Sequence, residues 1–399
     1  MKTLSRNVSG IDRSPIRFIL DRAARYKNAI ELEIGQPDFP TPAHIIEAAV
    51  EAARNKYTGY TANAGMLELR EAIVTKLARE NDLHVTPDNV IVTIGAMQAV
   101  FASMAVVLDG EDEILLPDPG YGNFTMASRI LNCVPRAYPT LAEQSFVPDF
   151  DALEAMVTPH TKAMLVNSPS NPTGAVYSEE TLRACLDFCK RHDLYLISDE
   201  TYDRLVFEGR HYSPACWDDE GRVISVFTVS KTYSMTGWRV GYAVASQEII
   251  ASMIKIQEPI VSCVNTVAQH AAIAALLGPQ DCVQEMLAHY RRRRDLVVAL
   301  CEREGLSVSY PHGAFYVLVD ISEQPANSLD FACGLLDAEH VAVAPGSSFG
   351  ELCDRYVRLS LCAGEEALTE GIIRLARYLR TVSDGRTVTM PARPSSRAI

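Results

Sequence analysis

Lys231 stands directly after the apolar run Val223-Ile224-Ser225-Val226-Phe227, within Thr228-Val229-Ser230-Lys231-Thr232-Tyr233. A lysine where a buried strand ends is desolvated, which lowers its pKa and frees the neutral amine as a nucleophile. With the hydroxyls of Thr228 and Ser230 beside it and Arg239 eight residues on, this amine suits a Schiff base formed next to a phosphate. A second chemical group lies 32 residues upstream, where Ile197-Ser198-Asp199-Glu200-Thr201-Tyr202 sets a carboxylate at the end of another apolar run. A buried carboxylate keeps a proton on a heterocyclic nitrogen; the other reading of Asp199 is a helix N-cap after the strand. Tyr202 adds a hydroxyl, or packs.

Further groups follow other strand-like runs. Val166-Asn167-Ser168-Pro169-Ser170-Asn171-Pro172-Thr173-Gly174 is a turn stiffened by two prolines and a glycine, which leaves the Asn171 amide free to donate. After Val92-Thr93-Ile94, Gly95 opens an apolar helix, and the N–H groups of Ala96 and Met97, with the helix dipole behind them, form an anion site. Tyr121, in Pro119-Gly120-Tyr121-Gly122-Asn123, offers an aromatic ring from a glycine-rich loop. Arg358 sits inside Tyr356-Val357-Arg358-Leu359-Ser360, where a charge is costly without an anion; a bound carboxylate or an internal salt bridge would satisfy it. The cofactor that needs a lysine amine, a carboxylate for a ring nitrogen and a phosphate site together is pyridoxal 5′-phosphate.

The stretch from Thr228 to Gly241 resembles the cofactor-lysine signature of the class I and II aminotransferases, pyridoxal-phosphate enzymes of fold type I. The similarity runs in the family's order from Leu32-Glu33-Ile34-Gly35-Gln36-Pro37-Asp38-Phe39, through Tyr60-Thr61-Ala62-Asn63-Ala64-Gly65 and Asn171-Pro172-Thr173-Gly174, to Arg358. One departure is Thr228, where the family usually has Gly or Ser; its hydroxyl can still donate to a phosphate.

The resemblance implies roles for particular residues. Lys231 holds the cofactor and moves the proton, Asp199 pairs with the pyridine nitrogen, and Tyr121 stacks on the ring. Asn171 and Tyr202 address the phenolic oxygen. Gly95, Ala96, Met97, Thr228, Ser230 and Arg239 surround the phosphate. Arg358, with Asn171 and the backbone at Gly35, takes the substrate α-carboxylate. Tyr60 crosses to the phosphate of a second subunit, which implies a homodimer with shared sites. The activity implied is transfer of an amino group between an L-amino acid and a 2-oxo acid, with a lyase, cyclase or decarboxylase on the same scaffold as the alternative. The helix after Gly95 carries no cation for a distal carboxylate, so neutral, apolar or aromatic donors are expected; Arg17 is the candidate cation should a dicarboxylate bind.

These groups require a scaffold that brings strand ends together. Candidate strands Val90–Ile94, Glu113–Leu116, Ala163–Asn167, Tyr195–Ser198, Val223–Phe227 and Val240–Ala245 alternate with helical patterns, which predicts an α/β fold with a mostly parallel central sheet and helices on both faces. In such sheets ligands bind beyond the carboxyl ends of the strands. After Pro279 the pattern changes to a long helix, Gln280–Arg303, and then to short strands at Ser307–Tyr310, Phe315–Val319 and Tyr356–Leu361, a smaller α+β domain. The expected division is a large domain over 41–280, a small one over 281–383, residues 1–40 packing with the small domain, and a mobile tail over 384–399.

Composition narrows the partners. With 399 residues and nearly half of them apolar, the chain can bury two cores of ordinary size. Its 37 basic and 50 acidic residues give a net charge of −13, which opposes nucleic acid and anionic membrane as partners. The one dense basic run, Arg291-Arg292-Arg293-Arg294, reads as a solvated or dimer-facing helix surface. No G-x-G-x-x-G follows a candidate strand, which sets aside a nicotinamide dehydrogenase, and with so short an N-terminus and so negative a charge no DNA-binding module is expected. The 10 cysteines are scattered through apolar stretches and read as reduced thiols, without a metal site. No apolar run spans a bilayer and the first residues lack a signal-peptide core, so the cytoplasm is the expected location.

Overall fold

The computed structural model describes residues 2–383 except 12 and 325; the tail expected over 384–399 lies outside the described residues. In chain order the strands are β1 (Ile30–Glu31), β2 (Val90–Thr93), β3 (Glu113–Asp118), β4 (Val134–Pro139), β5 (Thr161–Asn167), β6 (Tyr195–Asp199), β7 (Val223–Thr228), β8 (Gly241–Val244), β9 (Val308–Ser309), β10 (Tyr316–Asp320), β11 (Val341–Ala342), β12 (Ala344–Pro345) and β13 (Tyr356–Ser360).

Seven of them form one sheet in the order β2-β8-β7-β6-β5-β3-β4. Neighbours run parallel except β8, which is antiparallel to both β2 and β7. The central strands are apolar and buried because helices cover both faces. Along β7 the side chains alternate, Ile224 and Val226 entering one core with Val100 and Ile114, Phe227 entering the other with Ile73 and Tyr242. β4 escapes the sequence pattern: it is an edge strand, Val-Pro-Arg-Ala-Tyr-Pro, mostly open to solvent and bearing two prolines.

A smaller antiparallel sheet follows the order β12-β13-β10-β9. The long helix Asp281–Glu304 and the helix Glu365–Ser383 pack beside it. β1 pairs in parallel with β11, with Ile30 opposite Val341. Ile19, Ala23 and Leu32 share a buried cluster with Val317, Leu359 and Ile372, so the N-terminal residues and this second sheet have one core.

The basic run corrects the expectation of a solvated surface. Arg291 and Arg292 are exposed, but Arg293 and Arg294 are buried. Successive helix positions turn about 100° apart, which carries these two onto the inner face. There Arg293 forks onto both oxygens of Asp38 at 2.7 Å each, and Arg294 meets Glu208 at 2.9 Å. Buried charge is tolerated because each finds a carboxylate. No helix among the described residues is long and apolar enough to cross a membrane.

Candidate active site

Asn167, Asp199 and Thr228 are the last residues of β5, β6 and β7, and their side chains open on one cleft of about 890 Å³. Every site residue expected from the sequence lines this cleft except Gly95, directly behind it, and Tyr60, which lies elsewhere with 94% of its surface exposed.

Lys231 projects into the cleft and donates from Nζ to the Gly35 carbonyl at 2.7 Å. Burial, aided by the positive fields of Arg358 and Arg239, lowers its pKa to about 8. At the end of β6, Asp199 Oδ1 accepts from the Thr201 backbone N–H at 3.1 Å and the Thr201 hydroxyl at 2.6 Å. The remaining oxygen has no hydrogen-bond partner among the described residues. Burial pushes the Asp199 carboxyl up to about 6 despite these two bonds. A cationic N–H delivered to that oxygen would restore the charged form.

Arg239 has two carbonyl acceptors, Thr236 at 2.8 Å and Ile94 at 3.2 Å, and no carboxylate among the described residues. It lies against Gly95, whose φ of +93° favours glycine and where an added Cβ would come 2.4 Å from Arg239 Nη2. Gly95 caps the helix Ala96–Val107, so the first N–H groups of that helix, on Ala96 and Met97, precede its own hydrogen-bond ladder. An unpaired guanidinium beside a helix N-terminus suits a phosphate. Thr228 contributes less directly than its hydroxyl suggests. Its one hydroxyl proton has the Val240 carbonyl at 2.8 Å or Ser230 Oγ at 2.9 Å, while its oxygen accepts from the Ser230 N–H at 3.1 Å. Thr228 braces the loop, and Ser230 keeps a hydroxyl for an anion.

Across the cleft, Arg358 is buried on β13 and donates from Nη1 to Asn171 Oδ1 at 2.8 Å and from Nη2 to the Glu33 carbonyl. Among the described residues it has no carboxylate partner, which argues against the internal salt bridge, and its Nε is unpartnered. Its guanidinium carbon lies 4.0 Å from the centroid of Tyr316 and 4.7 Å from that of Phe349, flanked by aromatic faces. Tyr202 meets Tyr316 hydroxyl to hydroxyl at 3.0 Å. Tyr121 Oη accepts from Asn123 Nδ2 at 2.9 Å, and its ring meets Phe124 edge-on.

Tyr316 is absent from the sequence reading because Phe315-Tyr316-Val317 looks like packing; only register reveals it, β10 lying beside the strand that carries Arg358. Thr201, Asn123, Arg13 and the Glu33 side chain likewise reach the cleft without a sequence signal. Helix Ala96–Val107 does lack a cation, yet Arg17, on the helix Pro15–Ala23, lines the cleft and has no carboxylate partner among the described residues. Arg13, also at the cleft, is tied to Asp21 at 3.1 Å.

The residues present fit pyridoxal 5′-phosphate: an amine of lowered pKa, a buried carboxylate with an open oxygen, and an unpaired arginine over a helix start. The comparisons with known proteins agree. A model of the family described as aminotransferase class I and II matches residues 27–375. An aspartate/prephenate aminotransferase of Thermus thermophilus is 39% identical over 386 residues, 95% of this chain and 99% of that one. Aromatic-amino-acid aminotransferase 2 of Thermococcus litoralis is 36% identical over 382 residues, 94% of this chain and 98% of that one. The solved aspartate aminotransferase of Thermus thermophilus with maleate superposes with a TM-score of 0.91 at 39% identity, covering 95% of this chain and all of that one.

Proposed function

This chain belongs to the class I and II aminotransferases, transaminases that use pyridoxal 5′-phosphate, and from that premise we propose that its cleft accepts both aromatic and dicarboxylic substrates. The observation that carries the proposal is Arg17, a cation on the same cleft as Arg358 with no carboxylate partner among the described residues. An aromatic side chain needs only the apolar wall around Ile16 and Met126, whereas a distal carboxylate needs a charge, and Arg17 offers one. The names of the relatives, aspartate/prephenate and aromatic-amino-acid aminotransferases, support this breadth, as does a relative solved with maleate, a dicarboxylate. They give no support to a lyase, cyclase or decarboxylase. The test is a panel of amino donors, aspartate and aromatic amino acids included, against pyruvate and 2-oxoglutarate, with Arg17→Ala as the comparison. Exclusive use of aliphatic donors would end this reading.

When bound, the cofactor would supply an electron sink conjugated with the amino-acid Cα through the amino nitrogen. The Lys231 amine, whose pKa burial lowers toward neutrality, would take the proton from Cα and return it on the cofactor side. Arg358 receives the α-carboxylate with the fork that now spans Asn171 and Glu33, and Gly35 brings its backbone close beside it. Asp199 holds a proton on the ring nitrogen, its Oδ1 fixed by Thr201. Asn171 keeps its NH2 for the ring oxygen because its Oδ1 is occupied, and Tyr202 is held near it by Tyr316. Arg239, Ser230 and the Ala96 and Met97 N–H groups take the phosphate, and Tyr121 covers the ring.

The same reading assigns 41–280 to a large cofactor-holding domain and 281–383 to a small one, with residues 1–40 joined to the latter; the β1–β11 pairing and the burial of Ile19 and Leu32 support it. A homodimer is part of the proposal. Ile46, Val50, Tyr57, Tyr60, Leu67, Ile260 and Leu277 are exposed large apolar residues in and around the helices of the large domain, the kind of face a second copy covers. Tyr60 then reaches the partner's phosphate. Ten free thiols support the reducing cytoplasm as its location.

A further inference from the structure

Glu33 is fully buried, and both of its carboxyl oxygens are shielded from solvent with no well-formed hydrogen bond among the described residues, although the backbone N–H groups of Leu32 and of Glu33 itself lie toward them. Few buried charged side chains are left in that state, because desolvation without a partner is costly. Its position makes it more than a packing oddity. Glu33 lines the catalytic cleft, its own carbonyl accepts from Arg358 Nη2, and Arg358 has an unpartnered Nε.

The neighbourhood is short of neutralising charge. From the end of β1, two residues before it, Glu31 repels it, and from β13 Arg358 attracts it. β11, paired alongside, presents Val341 and Ala342, and β10 contributes the Tyr316 hydroxyl near Gly35. The helix Pro15–Ala23 carries Arg17, on the same cleft, and Arg13 precedes it. Burial, with the Glu31 charge added, outweighs the backbone N–H groups of Glu33 and Leu32 and the charge of Arg358, and pushes the Glu33 carboxyl up to about 7.

We propose that Glu33 is a positioning residue that links one proton to the occupancy of Arg358. Protonated, Glu33 leaves the guanidinium charge undivided for an incoming carboxylate. Ionised, it adds a negative charge behind the arginine that repels the same carboxylate. The linkage has a definite sign: a bound anion raises the pKa of Glu33 further, so carboxylate binding takes up a proton and weakens as pH rises through neutrality. The site rests on the transaminase reading of the cleft, but the role does not follow from that reading.

The test measures the dissociation constant of 3-phenylpropionate, an unreactive monocarboxylate, for the holoenzyme between pH 6 and 8.5, in the wild type and in Glu33→Gln. Titrations of Lys231 and of the cofactor are common to both proteins and cancel in the comparison. The wild type should lose affinity over this range by about 5-fold more than Glu33→Gln, the lower end of ordinary coupling between sites. Calorimetry of the wild type in two buffers of different ionisation enthalpy should find proton uptake on binding near pH 7, which needs no variant to fold. Parallel pH curves for the two proteins, or no proton uptake by the wild type, would overturn the proposal. Turnover with the donor panel separates the two levels: an active transaminase with parallel curves disproves the role of Glu33 alone, whereas absent transamination disproves the reading beneath it.

Discussion

Arg358 Nη1 donates to Asn171 Oδ1 across 2.8 Å, joining a strand of the smaller sheet to the turn that follows β5. The bond settles which way the Asn171 amide faces. Its oxygen is used by the arginine, so its two N–H donors are left for the cleft. A side chain that receives the substrate therefore also aims one that receives the cofactor.

Replacing Arg358 by lysine keeps the charge and loses the fork. Losing one charge-assisted bond costs about 1.5–3 kcal/mol, roughly 10- to 150-fold in kcat/KM for the amino acid. Cofactor affinity, followed by spectroscopic titration, should change little. A fall in cofactor affinity with unchanged amino-acid dependence would reassign Arg358.

Lys231 should react as an amine of pKa about 8 in the cofactor-free protein, because burial disfavours its ammonium form. The lowered pKa means the reactive neutral form grows in as pH rises through 8, where an ordinary lysine is still under about one per cent neutral. The rate of reconstitution with pyridoxal 5′-phosphate, followed by absorbance, should show that midpoint. A rate still climbing at pH 10 would mean the amine is unperturbed. Lys231→Ala should bind the cofactor and lose turnover.

Arg17→Ala should raise KM for aspartate and 2-oxoglutarate by roughly 10-fold or more, the loss of one charge-assisted contact, and leave aromatic donors within about twofold. Steady-state kinetics with both donor classes decides it. An equal effect on both classes would show that Arg17 supports the helix and leaves the side-chain subsite alone.

Tyr60 is tested by mixing subunits. One chain carries Lys231→Ala and the other Tyr60→Ala, each nearly inactive as a homodimer. If Tyr60 serves the other subunit's site, a hybrid dimer has one site with both native residues and recovers up to about half of wild-type activity. Hybrids confirmed by mass that remain as inactive as their parents would rule out the shared site.

The chemistry was legible where it followed an uninterrupted apolar run. Lys231, Asp199 and Asn171 each come just after or at the end of a strand that is buried on both faces, and both ingredients, strand and reactive residue, are local in sequence. What stayed hidden depends on residues distant in the chain. Tyr316 is functional only because β10 lies beside β13. Arg293 is buried only because Asp38, far upstream, supplies a carboxylate. β4 carries no apolar signal because it is an exposed, proline-bearing edge, and the bond of the Thr228 hydroxyl to the Val240 carbonyl joins residues too far apart in sequence to be read there.

Gly35 leaves no room for drift. A Cβ there would lie 1.8 Å from the Tyr316 hydroxyl oxygen and 2.6 Å from the ring carbon that bears it, so Tyr316→Phe alone does not make space. Tyr316 in turn supplies the hydroxyl that meets Tyr202 and the ring beneath Arg358. Four positions spread over most of the chain thus form one epistatic unit. A side chain at residue 35 becomes admissible only in a lineage that has already shrunk residue 316, and any such lineage has first given up the aromatic face under its carboxylate-binding arginine.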